Sequence, residues 1–204
     1  MARLFGRAFQ FAACAVLAFA PARAANEDIA AAARQQVGIT VHYDPAYRRL
    51  AYPGGDVPAD RGVCTDVIVR ALRVARAIDL QKQVHEDLAA HVGAYPLRRW
   101  GNPKPDSSID HRRVPNLMKY FERAGLAVAT TRNAADYLPG DIVAWDLGRG
   151  VLHIGIVSDR LAPTLAPFIV HNIGAGAREE DILFRFAVMG HYRLPTPAIG
   201  AQRR

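Results

Sequence analysis

Cysteine is nearly absent from this 204-residue chain: Cys14 and Cys64 are the only two. That excludes a disulfide-stapled scaffold, and with neither a CxxC nor an HExxH spacing present, no zinc ligand set is expected. Lysines are few, and no Lys/Arg run is interleaved with aromatics. The formal net charge of +7 is therefore spread thinly and leaves no nucleic-acid footprint. The longest apolar run, residues 11–20, is too short for a permanent membrane-spanning helix. Internal repeats and low-complexity blocks are missing as well, which sets aside solenoids and a wholly disordered chain. What remains is an ordinary globular composition, 50% hydrophobic and 22% charged, with length for one core.

The first residues read as a targeting segment. Arg3 and Arg7 precede the apolar run, and Pro21 and the tripeptide Ala22-Arg23-Ala24 follow it. A basic start, a short greasy run and a small-x-small site describe a secretory signal peptide over residues 1–24. Cys14 is not expected to be lipidated, because the most apolar residues follow it. Cleavage after Ala24 removes three arginines and no acids, leaving 180 residues of formal charge +4. Such a chain is periplasmic or secreted, and its mild positive charge suits an anionic cell-envelope partner. Its one remaining cysteine, Cys64, is then an unpaired thiol in an oxidising compartment.

Beyond the leader, a single domain over residues 25–195 and a flexible tail over 196–204 are expected. Residues 28–37 carry Ile29, Ala33 and Val37 at helical spacing. Residues 39–52 read as irregular extended chain and 53–62 as a loop. From Cys64, the positions Val67, Ile68, Ala71, Leu72, Ala75 and Ile78 define an amphipathic helix with Arg70, Arg73 and Arg76 on its outer side. Further helices are expected over 81–92 and 115–125, separated by a long loop at 95–108. Strands follow at 142–145, 152–157, 168–173 and 186–194, the first two joined by a hairpin at 146–150. Helices first and a short antiparallel sheet second make an α+β fold, with the helices packed on the sheet.

Cys64 opens its helix, where first-turn amides and the helix dipole favour an anion. A thiolate there is expected to have a lowered pKa and to serve as a nucleophile. The alternative is a cysteine packed as a small apolar residue. His153 and His171 each interrupt an apolar strand, and on neighbouring strands both rings can face one side. One ring could then take a proton from Cys64 while the other orients it. Gly155, on the same face as His153, is expected to leave room for a helix. Arg112 and Arg113 are either carboxylate ligands or solvated residues at a helix entry. Asp66 can bond Arg112, orient substrate or favour the helix start.

These residues carry a resemblance. Pro139-Gly140-Asp141-Ile142-Val143-Ala144-Trp145, followed by His153-Ile154-Gly155-Ile156-Val157, resembles a segment of the NlpC/P60 papain-like cysteine peptidases. Ile169-Val170-His171-Asn172 and Met189-Gly190-His191-Tyr192-Arg193 resemble that clan's next and closing strands. Across residues 39–194 the chain is most similar to the DUF1287 branch. The segments that carry this are Tyr43-Asp44-Pro45-Ala46-Tyr47, Asp60-Arg61-Gly62-Val63-Cys64-Thr65-Asp66 and Asp110-His111-Arg112-Arg113-Val114-Pro115-Asn116-Leu117. The resemblance implies a papain-like NlpC/P60-type fold, with Cys64 as nucleophile, His153 as general base and His171 as orienter. Tyr52 stands near the distance of that clan's upstream tyrosine, and with Asp66, Arg112 and Asn172 completes the substrate-binding candidates. The chain departs from the main family in having Thr65-Asp66 after the nucleophile, where Ser-Gly is usual.

The implied activity is hydrolysis of an amide bond in peptidoglycan through a thioester, without metal or cofactor. Peptidoglycan or muropeptides are the implied partners, with no nucleic acid and no stable membrane insertion. Two alternatives stay open: a non-catalytic cell-envelope binding module with the same fold, and a transacylase or other amide hydrolase.

Overall fold

The computed structural model describes residues 26–101 and 104–195. The expected leader at 1–24 and the expected tail at 196–204 lie outside the described residues. Helix α1 (Glu27–Arg34) buries Ile29, Ala30, Ala32 and Ala33. Two-residue strands β1 (His42–Tyr43) and β2 (Arg61–Gly62) pair in parallel just before helix α2 (Cys64–Arg76). Helices α3 (Leu80–Ala90) and α4 (Val114–Arg123) follow, and then strands β3 (Ile142–Asp146), β4 (Leu152–Leu161), β5 (Pro167–Asn172), β6 (Ala177–Glu180) and β7 (Ala187–Tyr192).

The five long strands form one antiparallel sheet in the order β6-β5-β4-β3-β7. Helices α1, α2 and α4 cover one face, where Ile29, Val67, Ile68, Ala71, Leu72, Leu117 and Phe121 meet Ile142, Ala144, Ile154, Ile156 and Val170. The other face is closed by loop residues: Tyr137, Ile182 and Leu183 pack on Val143, Trp145, Val157 and Ile169. The period-2 alternation of a strand assigns each residue to one face or the other. The fold is α+β, with helices packed on a short antiparallel sheet, as the sequence pattern predicts.

Local chemistry explains the helix starts. The Asp66 carboxylate accepts the Val63 backbone N–H at 2.7 Å, closing the first turn of α2. Asp79 accepts the Gln81 N–H at 3.1 Å and so caps α3, and Pro115 occupies the first turn of α4. Arg70 does not face solvent as its place on the helix suggests. Its guanidinium binds Asp56, the Thr40 hydroxyl and the carbonyls of Val57, Pro58 and Arg61. It thereby ties the loop that delivers the chain to Cys64.

Strand β6 departs from expectation. Ala177-Arg178-Glu179-Glu180 has no apolar alternation, yet its backbone pairs with β5 from Ile169↔Glu180 to Asn172↔Ala177. Strand β4 also continues to Leu161, further than the expected 152–157.

Candidate functional site

Cys64 is buried at the first position of α2 and is a free thiol. Burial pushes its pKa up to about 12, although the backbone N–H groups of Ile154, Thr65 and Cys64 itself pull the other way. The expected lowering at a helix start is thus overturned. A dipole contribution of roughly 0.3–1 kcal/mol is small beside the desolvation of a thiolate. The resting group is a neutral thiol.

His153 and His171 come together as expected. His153 Nε2 lies 3.0 Å from His171 Nδ1, with the rings edge to face at 5.1 Å. His171 Nε2 in turn lies 3.0 Å from Glu180 Oε2, but off the ring's hydrogen-bonding direction, so the contact is electrostatic. The charge of Glu180 favours the form with the His171 proton on Nε2; in that form Nδ1 accepts from His153 Nε2–H and His153 Nδ1 is the basic nitrogen. Burial, and then the neighbouring His171, lower the His153 pKa to about 3. Burial also lowers that of His171, against the opposing pull of Glu180.

The sheet decides how these groups face the thiol. Ile154 and Ile156 point to the helices, whereas His153 stacks on Trp145 at 6.0 Å on the opposite face. Cys64 stays on the helix side, acted on by the N–H of Ile154, the residue after His153. Among the described residues no hydrogen bond joins the sulfur to either ring. Gly155 does not make room for a helix, contrary to expectation. A Cβ there would stand 2.6 Å from the Ile169 side chain and 3.1 Å from His171 Cβ, so the absent side chain lets β5 and its histidine close in.

A cleft of about 270 Å³ opens over Cys64, lined also by Tyr43, Trp100, Arg112, Arg113 and Leu152. Arg112 is there, but its guanidinium is engaged within the protein. Nε and Nη2 donate to Asp66 at 3.1 and 3.0 Å, and the remaining bonds go to the Ala46 and Asp44 carbonyls. Asp66 and Arg112 therefore form a buried ion pair that holds the helix start against the 44–46 segment. The internal partner foreseen for Asp66 is the one found, and the carboxylate role expected of Arg112 is left a single Nη1–H, too little for a two-bond grip.

Asn172 is likewise an internal clamp. Its amide donates to the Gly62 carbonyl at 3.0 Å and so pins β2 beside Cys64. Tyr52 is away from the cleft, bonded to Glu86 at 3.2 Å and edge-on to His85 at 5.3 Å. The aromatic at the thiol is Tyr43, whose hydroxyl pKa is raised first by burial and then by Cys64. Sequence distance favoured Tyr52, but the pairing Tyr43↔Gly62 carries Tyr43 to the helix start. Glu180, Tyr43 and Trp100 were the residues not foreseen. A Tyr two residues before Pro45, in a segment already singled out, was the available signal for one of them.

Among the described residues no group of three or more His, Cys, Asp and Glu is placed to hold a metal ion, and no helix is long and apolar enough to cross a membrane. The arrangement defines an α+β protein with a helix-start thiol in a cationic cleft beside a carboxylate-terminated histidine pair. Residues 30–194 match the family described as Domain of unknown function (DUF1287), and the chain belongs to that family. It is also similar to the "Uncharacterized protein YijF" of Escherichia coli (strain K12), with 55% identity over 168 residues, covering 82% of this chain and 81% of that one.

Proposed function

We propose that this protein is an exported cysteine amidohydrolase of the papain-like, NlpC/P60 type that cleaves an amide bond in peptidoglycan. One observation carries the reading: the only thiol among the described residues stands at a helix start and lines a cleft, in a fold whose sheet carries a histidine pair that ends on a carboxylate. In the reaction, Cys64 Sγ attacks the amide carbonyl as its proton passes to His153 Nδ1. The C–N bond then breaks, with that proton going to the leaving amine, and a thioester remains. Water adds to the thioester, releasing a carboxylic acid and restoring the thiol. Backbone N–H groups at the helix start bear on the developing oxyanion.

The neutral thiol and neutral imidazole shape this mechanism. Attack proceeds by general-base removal of the proton as the bond forms, rather than from a preformed thiolate–imidazolium pair. His153 must also swing from Trp145 toward the sulfur. His153 lies past the end of the β4–β5 ladder but stays paired with Trp145 on β3, so the swing is a rotation of the side chain.

The test is mass spectrometry of soluble fragments from purified sacculi incubated with the protein, beside Cys64→Ala and His153→Ala. Fragments that require both side chains support the reading, and their masses name the bond. A folded wild-type protein that releases nothing from sacculi digestible by another enzyme overturns it. The buried, protonated thiol favours one rival, a cell-envelope binding module, in which sacculi would bind equally well with Cys64 or Ala.

A further inference from the structure

The cleft holds a cation that makes no ion pair among the described residues. Three arginines line it: Arg99, Arg112 and Arg113. Arg112 is neutralised by Asp66 through a 3.0 Å ion pair, and Arg99 donates to the Gly150 carbonyl in the β3–β4 turn. Arg113 differs from both. Among the described residues it has neither a carboxylate nor a carbonyl partner. Its guanidinium carbon instead lies over the Trp100 ring, 4.3 Å from the centroid. It is half-buried, and burial lowers its pKa despite the opposing fields of Asp110 and Asp106.

A guanidinium held over an aromatic face is restrained by the cation–π contact without using up its N–H groups. No acidic residue lines the cleft, while the N-termini of α2 and α4 both contribute wall residues (Cys64, Val114 and Pro115). Helix starts favour anions. The cleft is therefore positive around Arg113, whose guanidinium edge has no hydrogen-bond partner among the described residues, and carries a hydrophobic surface in Trp100, Ile109 and Leu152.

We infer that Arg113, stacked on Trp100, is a carboxylate subsite that selects a peptide bearing a free carboxylate for the Cys64 cleft. The inference rests on the hydrolase reading for the identity of the peptide, a peptidoglycan stem, and on the cleft alone for the charge and shape of the ligand. Of the two arginines for which sequence suggested this role, Arg112 and Arg113, it assigns the role to Arg113. A planar carboxylate pairs with the guanidinium edge through two parallel hydrogen bonds, and the peptide's aliphatic part lies along Trp100.

The probe is the tripeptide L-alanyl-γ-D-glutamyl-meso-diaminopimelate, titrated by calorimetry into the Cys64→Ala protein beside its fully amidated counterpart and inorganic phosphate. The free-carboxylate peptide is expected to bind about tenfold or more tightly than the amide, a step typical of one charge-assisted pair. Arg113→Gln is expected to erase that preference, and Arg113→Lys to keep a fraction of it, because a point charge replaces the fork. Both variants keep the backbone carbonyl that accepts the Asn116 and Leu117 N–H groups, so α4 retains its start.

Equal binding of peptide and amide, an unchanged preference in Arg113→Gln, or Arg113-dependent binding of phosphate with none of the peptide would each overturn the subsite. The two readings fail separately. Carboxylate-selective binding lost in Arg113→Gln, with sacculi left intact by the wild type, sustains the subsite and removes the hydrolase. Sacculus cleavage with KM and kcat unchanged in Arg113→Gln does the reverse.

Discussion

Two corners of the same sheet bury histidines, and they are built to opposite rules. At the β3–β7 corner, His191 Nε2 meets Asp141 Oδ2 at 2.7 Å, and Nδ1 meets the Ala129 carbonyl at 3.1 Å. Tyr137 stacks on the ring at 4.3 Å, and Arg193 and the Leu138 N–H complete the Asp141 carboxylate. Every polar atom there has a partner. At the β4–β5 corner, the His153–His171 pair ends on a carboxylate at one side and on an unclaimed imidazole nitrogen at the other. A buried polar group with all its bonds made rigidifies a fold, whereas one left short must be compensated or used. On the proposed reading, the difference separates a structural histidine from a chemical one, though both interrupt apolar strands.

The sharpest way to break that comparison is to remove each histidine's function in turn. His153→Ala is expected to lower sacculus turnover by about a thousandfold or more, the scale of losing a general base that acts as a unit with its nucleophile. It should leave the circular dichroism spectrum unchanged. Asp141→Ala should act in the opposite sense. It strands His191 and Arg193 in a buried site and is expected to cost about 3–5 kcal/mol in denaturant unfolding.

A third expectation is pH dependence of stability. His153 and His111 are held neutral in the fold, with pKa values near 3 and 4 caused mainly by burial, and that of His171 is lowered as well. Unfolded histidines take up protons near pH 6.5. The unfolded state therefore binds more protons below that point, and stability falls as pH drops from about 6.5 toward 4, by up to roughly 1.4 kcal/mol per pH unit per histidine. Chemical denaturation across this window checks the slope, and His153→Gln should flatten it.

The smallest effect expected is that of Glu180→Gln, which removes the charge that favours the His171 Nε2–H tautomer. A loss of about tenfold in kcat with KM unchanged is the scale of one second-layer contact. A KM effect alone would place Glu180 in binding.

Most of the fold was legible because the apolar periodicity of α1 and α2 and the short apolar runs of β3, β4 and β5 each match one structural period. Strand β6 was not, since its pairing with β5 is backbone-driven and its side chains are polar. The histidine pair was readable from two imidazoles in apolar strands, but the carboxylate that ends the chain sits on that unread strand. The fate of Cys64 was hidden for a different reason: sequence shows a helix start and says nothing of how deeply α2 is packed. Arg112 and Arg113, adjacent in sequence, are indistinguishable until Asp66 and Trp100 each claim one of them.

The central claim is that Cys64 attacks the substrate covalently from a protonated resting state. Intact-protein mass spectrometry after brief mixing with muropeptides and acid quench tests it most directly. The account predicts a muropeptide acyl adduct mapped to Cys64, transient in the wild type and absent from Cys64→Ala. Fragment release by Cys64→Ala at the wild-type rate, with no adduct on either protein, would contradict it.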